Sequence, residues 1–387
     1  MLKILNMFKQ SKKFKKNQIN NDGIELVIMK KKNISSRTYT RTMQFVKQVN
    51  HQQTKEISNI DLQIYNDIIN NNVSTIDSQK DDSYENRKQQ LKKYIATLEE
   101  LKKIPLIKQR TIEWLEARKT RLTASELEDA IRDKSLRLAK KKAHVVCDNT
   151  NYNAIPALKW GTMFESMAIR CYIQDMKYKN VFEFGLLLDK NHPHFGASPD
   201  GINDLGIMVE IKCPYSREIK DGYIPSKYYT QMQGQLAVCE LNECDYIECK
   251  FVTYESIYKY VNDIFENFEN STVNHGIIAE YQNINDGEYK YLYSKQDLIS
   301  SKAIDDINKQ VYEFKDENYK LLKLTPWRMD KMNIQRVYFD EKLWEKTKPQ
   351  ITNFWEKVEE CKNNPSLMDK NVVTKQRKKI EFIKDED

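Results

Sequence analysis

At 387 residues and 40% hydrophobic content, the chain holds enough apolar material for one large folded domain or two modest ones. Its net charge of +7 is uneven: residues 1–56 carry 13 Lys/Arg against Asp22, Glu25 and Glu56, a local balance of +10 that leaves −3 for the other residues. Charges interrupt every apolar run well short of the ~18 residues a membrane helix needs, and the N-terminus lacks the apolar stretch and cleavage site of a secretory signal, so an intracellular protein with no membrane contact is expected.

Seven cysteines, an odd number with no CxxC pair, suit a reducing compartment. Cys239, Cys244 and Cys249 recur every five residues, which is poor zinc or cluster geometry.

Residues 1–85, rich in Asn, Gln, Ser and Lys, read as a basic, flexible arm with room for a short strand or helix. Its Lys12-Lys13-Phe14-Lys15-Lys16 and Lys30-Lys31-Lys32 runs suit phosphate contacts, a nuclear address or a solvated tail, and the sequence leaves these open. Leu91, Tyr94, Ile95, Leu98 and Leu101 have helical spacing, so a folded core is expected over 86–260. Pro105 breaks that helix, Thr111 to Lys119 make a second, and Thr123-Ala124-Ser125-Glu126 reads as a helix start.

The spacing predicts a helix from Trp160 to Gln174 with Glu165, Ala168, Ile169 and Tyr172 on one face. A loose strand over Val181 to Leu188 then leads through His192-Pro193-His194, a pair expected to be solvated rather than metal-bound. Further expectations are a helix from Lys227 to Glu240, a strand from Asp245 to Tyr254, helical fragments at 257–268 and 302–319, and an amphipathic helix at 341–361. Residues 261–370 are expected as a helical extension completing the domain, and 371–387 as a charged tail.

The chemistry concentrates in Ser198-Pro199-Asp200-Gly201 and Glu210-Ile211-Lys212. Between them Asn203-Asp204-Leu205-Gly206 has turn chemistry, so a hairpin would set Asp200 opposite Glu210. A two-residue step on a strand puts Glu210 and Lys212 on one face. Two carboxylates and an ammonium at one point suit phosphodiester hydrolysis: carboxylate oxygens hold Mg²⁺, and the ammonium orients water or steadies developing charge.

Four blocks in order resemble the PD-(D/E)XK nuclease superfamily, and within it the YqaJ viral recombinase or lambda-exonuclease family, in the manner of a large-DNA-virus or phage-like member. They are Trp114-Leu115-Glu116-Ala117-Arg118 running to Leu122-Thr123-Ala124-Ser125; Trp160-Gly161-Thr162-Met163-Phe164-Glu165; the Asp200 and Glu210 segments with Cys213-Pro214; and Tyr229-Thr230-Gln231-Met232-Gln233-Gly234-Gln235. The resemblance implies an α/β, restriction-endonuclease-like core with a central mixed sheet of four to five strands flanked by helices. It implies Glu165, Asp200, Glu210 and Lys212 as catalytic residues. Asp200, Glu210, the Ile211 carbonyl and Glu165 would hold Mg²⁺, with Mn²⁺ as a substitute.

Arg118, Ser125 and Gln233 are implied to hold the DNA end, with Arg121 a nearby candidate for a backbone phosphate. The activity implied is resection of linear double-stranded DNA, 5′ to 3′, feeding a single-strand annealing protein. A homo-oligomeric ring is a further implication, and for a viral protein the site of action would be the host cytoplasm or nucleus. Two rivals stay open: a genome-processing or structure-specific endonuclease, and a noncatalytic DNA-binding scaffold. An intact Asp200, Glu210 and Lys212 weighs against the scaffold.

Overall fold

The computed structural model describes residues 48–70, 82–132, 135–144, 155–268, 273–295 and 300–364. The lysine runs of the N-terminal arm and the charged tail lie outside them.

The site is positioned by a hairpin followed by a crossover. Strands β6 (Gly201–Asn203) and β7 (Met208–Lys212) pair antiparallel, Gly201 opposite Val209 and Ile202 opposite Met208. Their turn is built as its residues dictate. The Asn203 side chain accepts from the Leu205 and Ile207 amides at 3.1 Å each, and Gly206 adopts φ +76°. A Cβ on Gly206 would stand 2.5 Å from the Tyr94 carbonyl oxygen, so glycine also permits the turn's close approach to helix α2 (Asp82–Lys102).

After β7 the chain crosses over through helix α7 (Ser226–Cys239) and returns as β8 (Glu243–Thr253), parallel to β7. Parallel neighbours need such a crossover, and the buried Met232, Leu236 and Cys239 lay its helix on the sheet.

The remaining strands complete an eight-stranded mixed sheet in the order β10-β9-β11-β8-β7-β6-β3, with β1 (Gln48–Val49) on β11. Here β3 is Val181–Phe182, β9 His275–Asn283, β10 Tyr289–Tyr293 and β11 Tyr319–Tyr338. A second sheet, β2-β5-β4, joins Leu122–Thr123, Phe195–Ala197 and Leu187–Leu188. The expected α/β class with helices flanking a mixed sheet is present.

Three expectations are corrected. The sheet has eight strands where four to five were expected, because 261–370 is not simply a helical extension: β9, β10 and all of β11 lie in it. Helix α9 (Ser300–Glu313) ends well before residue 319, where β11 begins. Third, the expected arm of 1–85 includes helix α1 (His51–Ile69), docked through Thr54, Ser58, Asp61 and Ile64. That buried face is mostly polar, which is why hydrophobic spacing did not reveal it.

Its partner is Arg336 on β11, fully buried. The Arg336 amide donates to Thr54 Oγ1 at 3.0 Å and its guanidinium to Ser58 Oγ at 3.1 Å, Glu243 at 2.7 Å and Asp245. Arg87 on α2 joins the same cluster through Asp61 at 2.7 Å and through Glu243.

The main core runs under α2, α7, the last helix and helix α6 (Pro156–Met176), with Phe164 stacked on Phe251 of β8 at 4.4 Å. Each fully buried Leu, Ile or Phe there contributes roughly 1.5–3 kcal/mol.

Candidate active site

The hairpin brings Asp200 beside β7, as its turn predicted. Asp200 Oδ2 accepts from the Ile211 amide at 2.7 Å. Glu210 is fully buried, and Lys212, on the same face, donates to Glu210 Oε1. Two amides from α7 complete the carboxylate's shell: Gln231 Nε2 donates to Oε1 at 2.7 Å and Gln235 Nε2 to Oε2 at 2.8 Å. These two glutamines are four apart, one helical turn, and so share a face.

Gln233 does not belong to this group. Its amide donates to the Tyr338 carbonyl at 3.1 Å and its Oε1 accepts from the Asp340 amide at 2.6 Å, so it ties α7 to the end of β11 and the start of helix α10 (Glu341–Asn363). Gln233, expected at the DNA end, is thus turned away from Glu210 by its offset of two residues. The i, i+4 spacing of Gln231 and Gln235 was the signal that could have selected them.

Glu165 enters from α6 and pairs with Arg110. Arg110 has φ +70°, a left-handed backbone conformation uncommon outside glycine. Trp114 on helix α3 (Ile112–Lys119) donates from its indole to Ser198 Oγ at 3.0 Å, linking the first motif block to the Asp200 segment.

Charge at this point is unbalanced. Burial, then the Glu210 charge, pushes the Asp200 carboxyl well above its ordinary value, against the opposing pull of Lys212. Burial works against the Lys212 ammonium, but Glu210 and then Asp200 outweigh it and hold its pKa above the usual lysine value. Lys212 is therefore a fixed cation, suited to orienting water or steadying negative charge and unsuited to taking a proton.

The donor set is hard oxygen, and like charges crowded round Asp200 suit a divalent cation. Among the described residues no three His, Cys, Asp or Glu side chains are gathered at ligand distance. Glu165 is held by Arg110 and Glu210 by Lys212, so an ion would compete with both pairs.

A cleft of about 1140 Å³ opens over these residues. Glu165, Ile211 and Lys212 line it, as do Arg110, Trp114, Arg118, Lys141, Lys142 and Arg217. Arg118 lies over the Trp114 ring at 4.2 Å and donates to Ser125 Oγ at 3.1 Å and Thr123 Oγ1 at 3.3 Å. Arg118 and Ser125 are thus brought together, with Arg118 on the cleft wall. Arg121 is not part of the wall: its guanidinium bonds back to the Ala117 carbonyl at 2.9 Å. Arg217, on the cleft wall, forms an ion pair with the buried Glu248, a residue that sequence reasoning did not single out.

His192 pairs with Asp189 and His194 stacks on Trp355, so neither reaches the carboxylates. The six described cysteines are free thiols, and burial pushes Cys239 up to about 12.

Fold and site together describe a mixed α/β protein whose Pro199-Asp200 and Glu210-Ile211-Lys212 follow the order of the PD-(D/E)XK pattern. Within it, residues 113–242 match the model of the YqaJ-like viral recombinase domain. The chain is thus similar to the YqaJ-like viral recombinase domain over that stretch. Over 322 aligned residues it is 28% identical to the uncharacterized protein R354 of Acanthamoeba polyphaga mimivirus, covering 70% of this chain. The chain spans 56% of that relative's length.

Similar solved structures include an alkaline exonuclease from Laribacter hongkongensis, 19% identical, with a TM-score of 0.39 over 65% of this chain and 95% of that one. Another is a phage-related exonuclease from Haemophilus somnus 129PT, 11% identical, with a TM-score of 0.34 over 62% and 94% of the two chains. No helix among the described residues is long and apolar enough to cross a membrane.

Proposed function

We propose that this protein is a divalent-metal-dependent exonuclease that resects linear double-stranded DNA from its 5′ end, leaving a 3′ overhang for a single-strand annealing protein. One observation carries the reading: Asp200, Glu210 and Lys212 converge beneath a cleft whose wall also carries Arg118, which donates to Ser125 behind it. The YqaJ-like domain supports the coarser class of DNA exonuclease or recombinase.

Asp200, Glu210, the Ile211 carbonyl and Glu165 would hold Mg²⁺, or Mn²⁺ in its place. The ion supplies Lewis-acid polarisation of the phosphate and acidifies water. Lys212 orients the attacking water and steadies charge on the phosphate oxygens. Gln231 and Gln235 fix the Glu210 carboxylate so that it does not reorient during the reaction. Arg118, backed by Ser125, grips the terminal 5′ phosphate as a guanidinium fork suits. Gln233 and Arg121 have no part in this. A ring-shaped homo-oligomer, and action in a host cytoplasm or nucleus, extend the same proposal.

The test is Mg²⁺-dependent nucleotide release from linear duplex with a 5′ phosphate or 5′ hydroxyl, compared with closed circles, with Lys212→Ala as control. Rapid loss of the phosphorylated linear strand, abolished by the substitution, is the expected result. Cutting of closed circles would replace the exonuclease with an endonuclease, and binding without cutting would leave a scaffold.

A further inference from the structure

The cleft wall that carries Arg118 holds a second cation, and it is buried. Lys142, on helix α5 (Ser135–His144), is 5% exposed. Its ammonium donates to Glu126 Oε2 at 2.7 Å and to the Arg118 carbonyl at 3.0 Å. Glu126 accepts in turn from the Thr123 amide at 3.2 Å and hydroxyl at 2.8 Å. Thr123 Oγ1 lies 3.1 Å from Ser125 Oγ, and the Arg118 guanidinium donates to both hydroxyls. The bonds close a ring that begins and ends on Arg118.

Such a ring is not explained by stability. Burial lowers the pKa of Lys142 below its ordinary value even with Glu126 opposing, and a buried ion pair is often no more stable than apolar residues of the same shape. The Lys142 and Glu126 charges offset each other within the ring. Lys142 also restrains Arg118 at its backbone while Ser125 and Thr123 restrain it at the guanidinium, so the fork is held at both ends.

We propose that Lys142, clamped by Glu126, is a positioning residue of a terminal-phosphate pocket: it fixes Arg118 in the place from which the guanidinium selects a phosphorylated 5′ end. This rests on the reading of Arg118 and Ser125 given above. Lys142 acts through Arg118, so the effect falls on recognition of the end more than on bond cleavage.

The experiment compares full-length wild type, Lys142→Met, Lys142→Arg and the double variant Lys142→Met with Glu126→Gln on 5′-phosphoryl and 5′-hydroxyl linear duplexes. In Lys142→Met, KM for the phosphorylated end is expected to rise on the order of tenfold, the scale of one charge-assisted hydrogen bond, with a smaller change in kcat. The phosphoryl-to-hydroxyl preference then collapses toward one, and Lys142→Arg restores part of it. The double variant leaves no buried charge unpaired, so it decides the matter if Lys142→Met alone fails to fold: its preference should also collapse.

A folded variant that keeps the wild-type preference, or one that loses activity equally on both ends, overturns the proposal. A wild type with no preference for phosphate overturns the pocket itself and the proposal with it, a separate and distinguishable result.

Discussion

The Gln231 amide donates to Glu210 Oε1 at 2.7 Å, one helical turn before Gln235 donates to the other oxygen of the same carboxylate. A buried carboxylate is thereby fixed by the helix that crosses over it, and the intervening Gln233 serves a different joint of the fold.

That division predicts different consequences for three neighbouring glutamines. Gln231→Leu and Gln235→Leu should each lower turnover by about tenfold or more, since an unmade hydrogen bond to a buried charge costs roughly 1.5–3 kcal/mol. Gln233→Leu should lower stability by about 1–3 kcal/mol, from the stranded Asp340 amide and Tyr338 carbonyl, with turnover of the folded enzyme near normal. Steady-state kinetics alongside thermal melts separate the two patterns. Equal loss of turnover in all three would contradict the assignment.

Arg110 occupies Glu165. If Glu165 is a metal ligand, Arg110→Ala removes a competitor, and half-saturation with Mg²⁺ should fall several-fold. Metal titration by isothermal calorimetry, without DNA, gives the answer independently of activity. Weaker binding would show instead that Arg110 orients the carboxylate. Chelation of the metal should abolish cleavage in every variant.

The turn at Gly206 should resist substitution. Gly206→Ala forces a side chain into φ +76° and against the Tyr94 carbonyl, at a cost of about 1–3 kcal/mol or more. Because β6 and β7 carry the residues flanking Asp200 and Glu210, activity should fall further than the melting temperature implies. A fully active variant would mean that the hairpin tolerates a shifted turn.

The Arg336 cluster sets the acid limit of the fold. Burial pushes Glu243 up, but Arg87 and then Arg336 outweigh it and hold it below the ordinary value of 4.5. A carboxylate with a depressed folded pKa stabilises fully above its unfolded pKa and loses that contribution as pH falls through the folded one. Stability should therefore hold above about pH 4.5 and decline below it, with α1 and α2 loosening from the sheet. Near-UV circular dichroism of wild type and Glu243→Gln follows this, and an identical acid transition in both would remove Glu243 as its cause. Arg336→Met, which strands buried carboxylates, should cost about 3–5 kcal/mol.

Much of the site was legible because its signals are local. The Asp200 to Glu210 hairpin follows from turn residues and strand alternation within a dozen positions, and the i, i+2 step alone set Glu210 and Lys212 on one face. Helices α2, α3, α6, α7 and α10 followed from spacing and breakers. Which of the three alternate glutamines meets Glu210 was not legible, because it depends on the rotation of α7 over β7, which no local pattern fixes.

The sequence by itself determined the hairpin and the acid and lysine trio, since these rest on contacts between near neighbours, while the α/β class and the joint role of Arg118 and Ser125 came through the resemblance. Only the tertiary structure decided that α1 docks through Thr54, Ser58 and Asp61, that 275–338 widens the sheet, and that Lys142 closes a ring behind Arg118. Those features join residues far apart in the chain through buried polar groups. Polar groups leave no hydrophobic period to read, and their partners become visible only when the fold brings them within hydrogen-bonding distance.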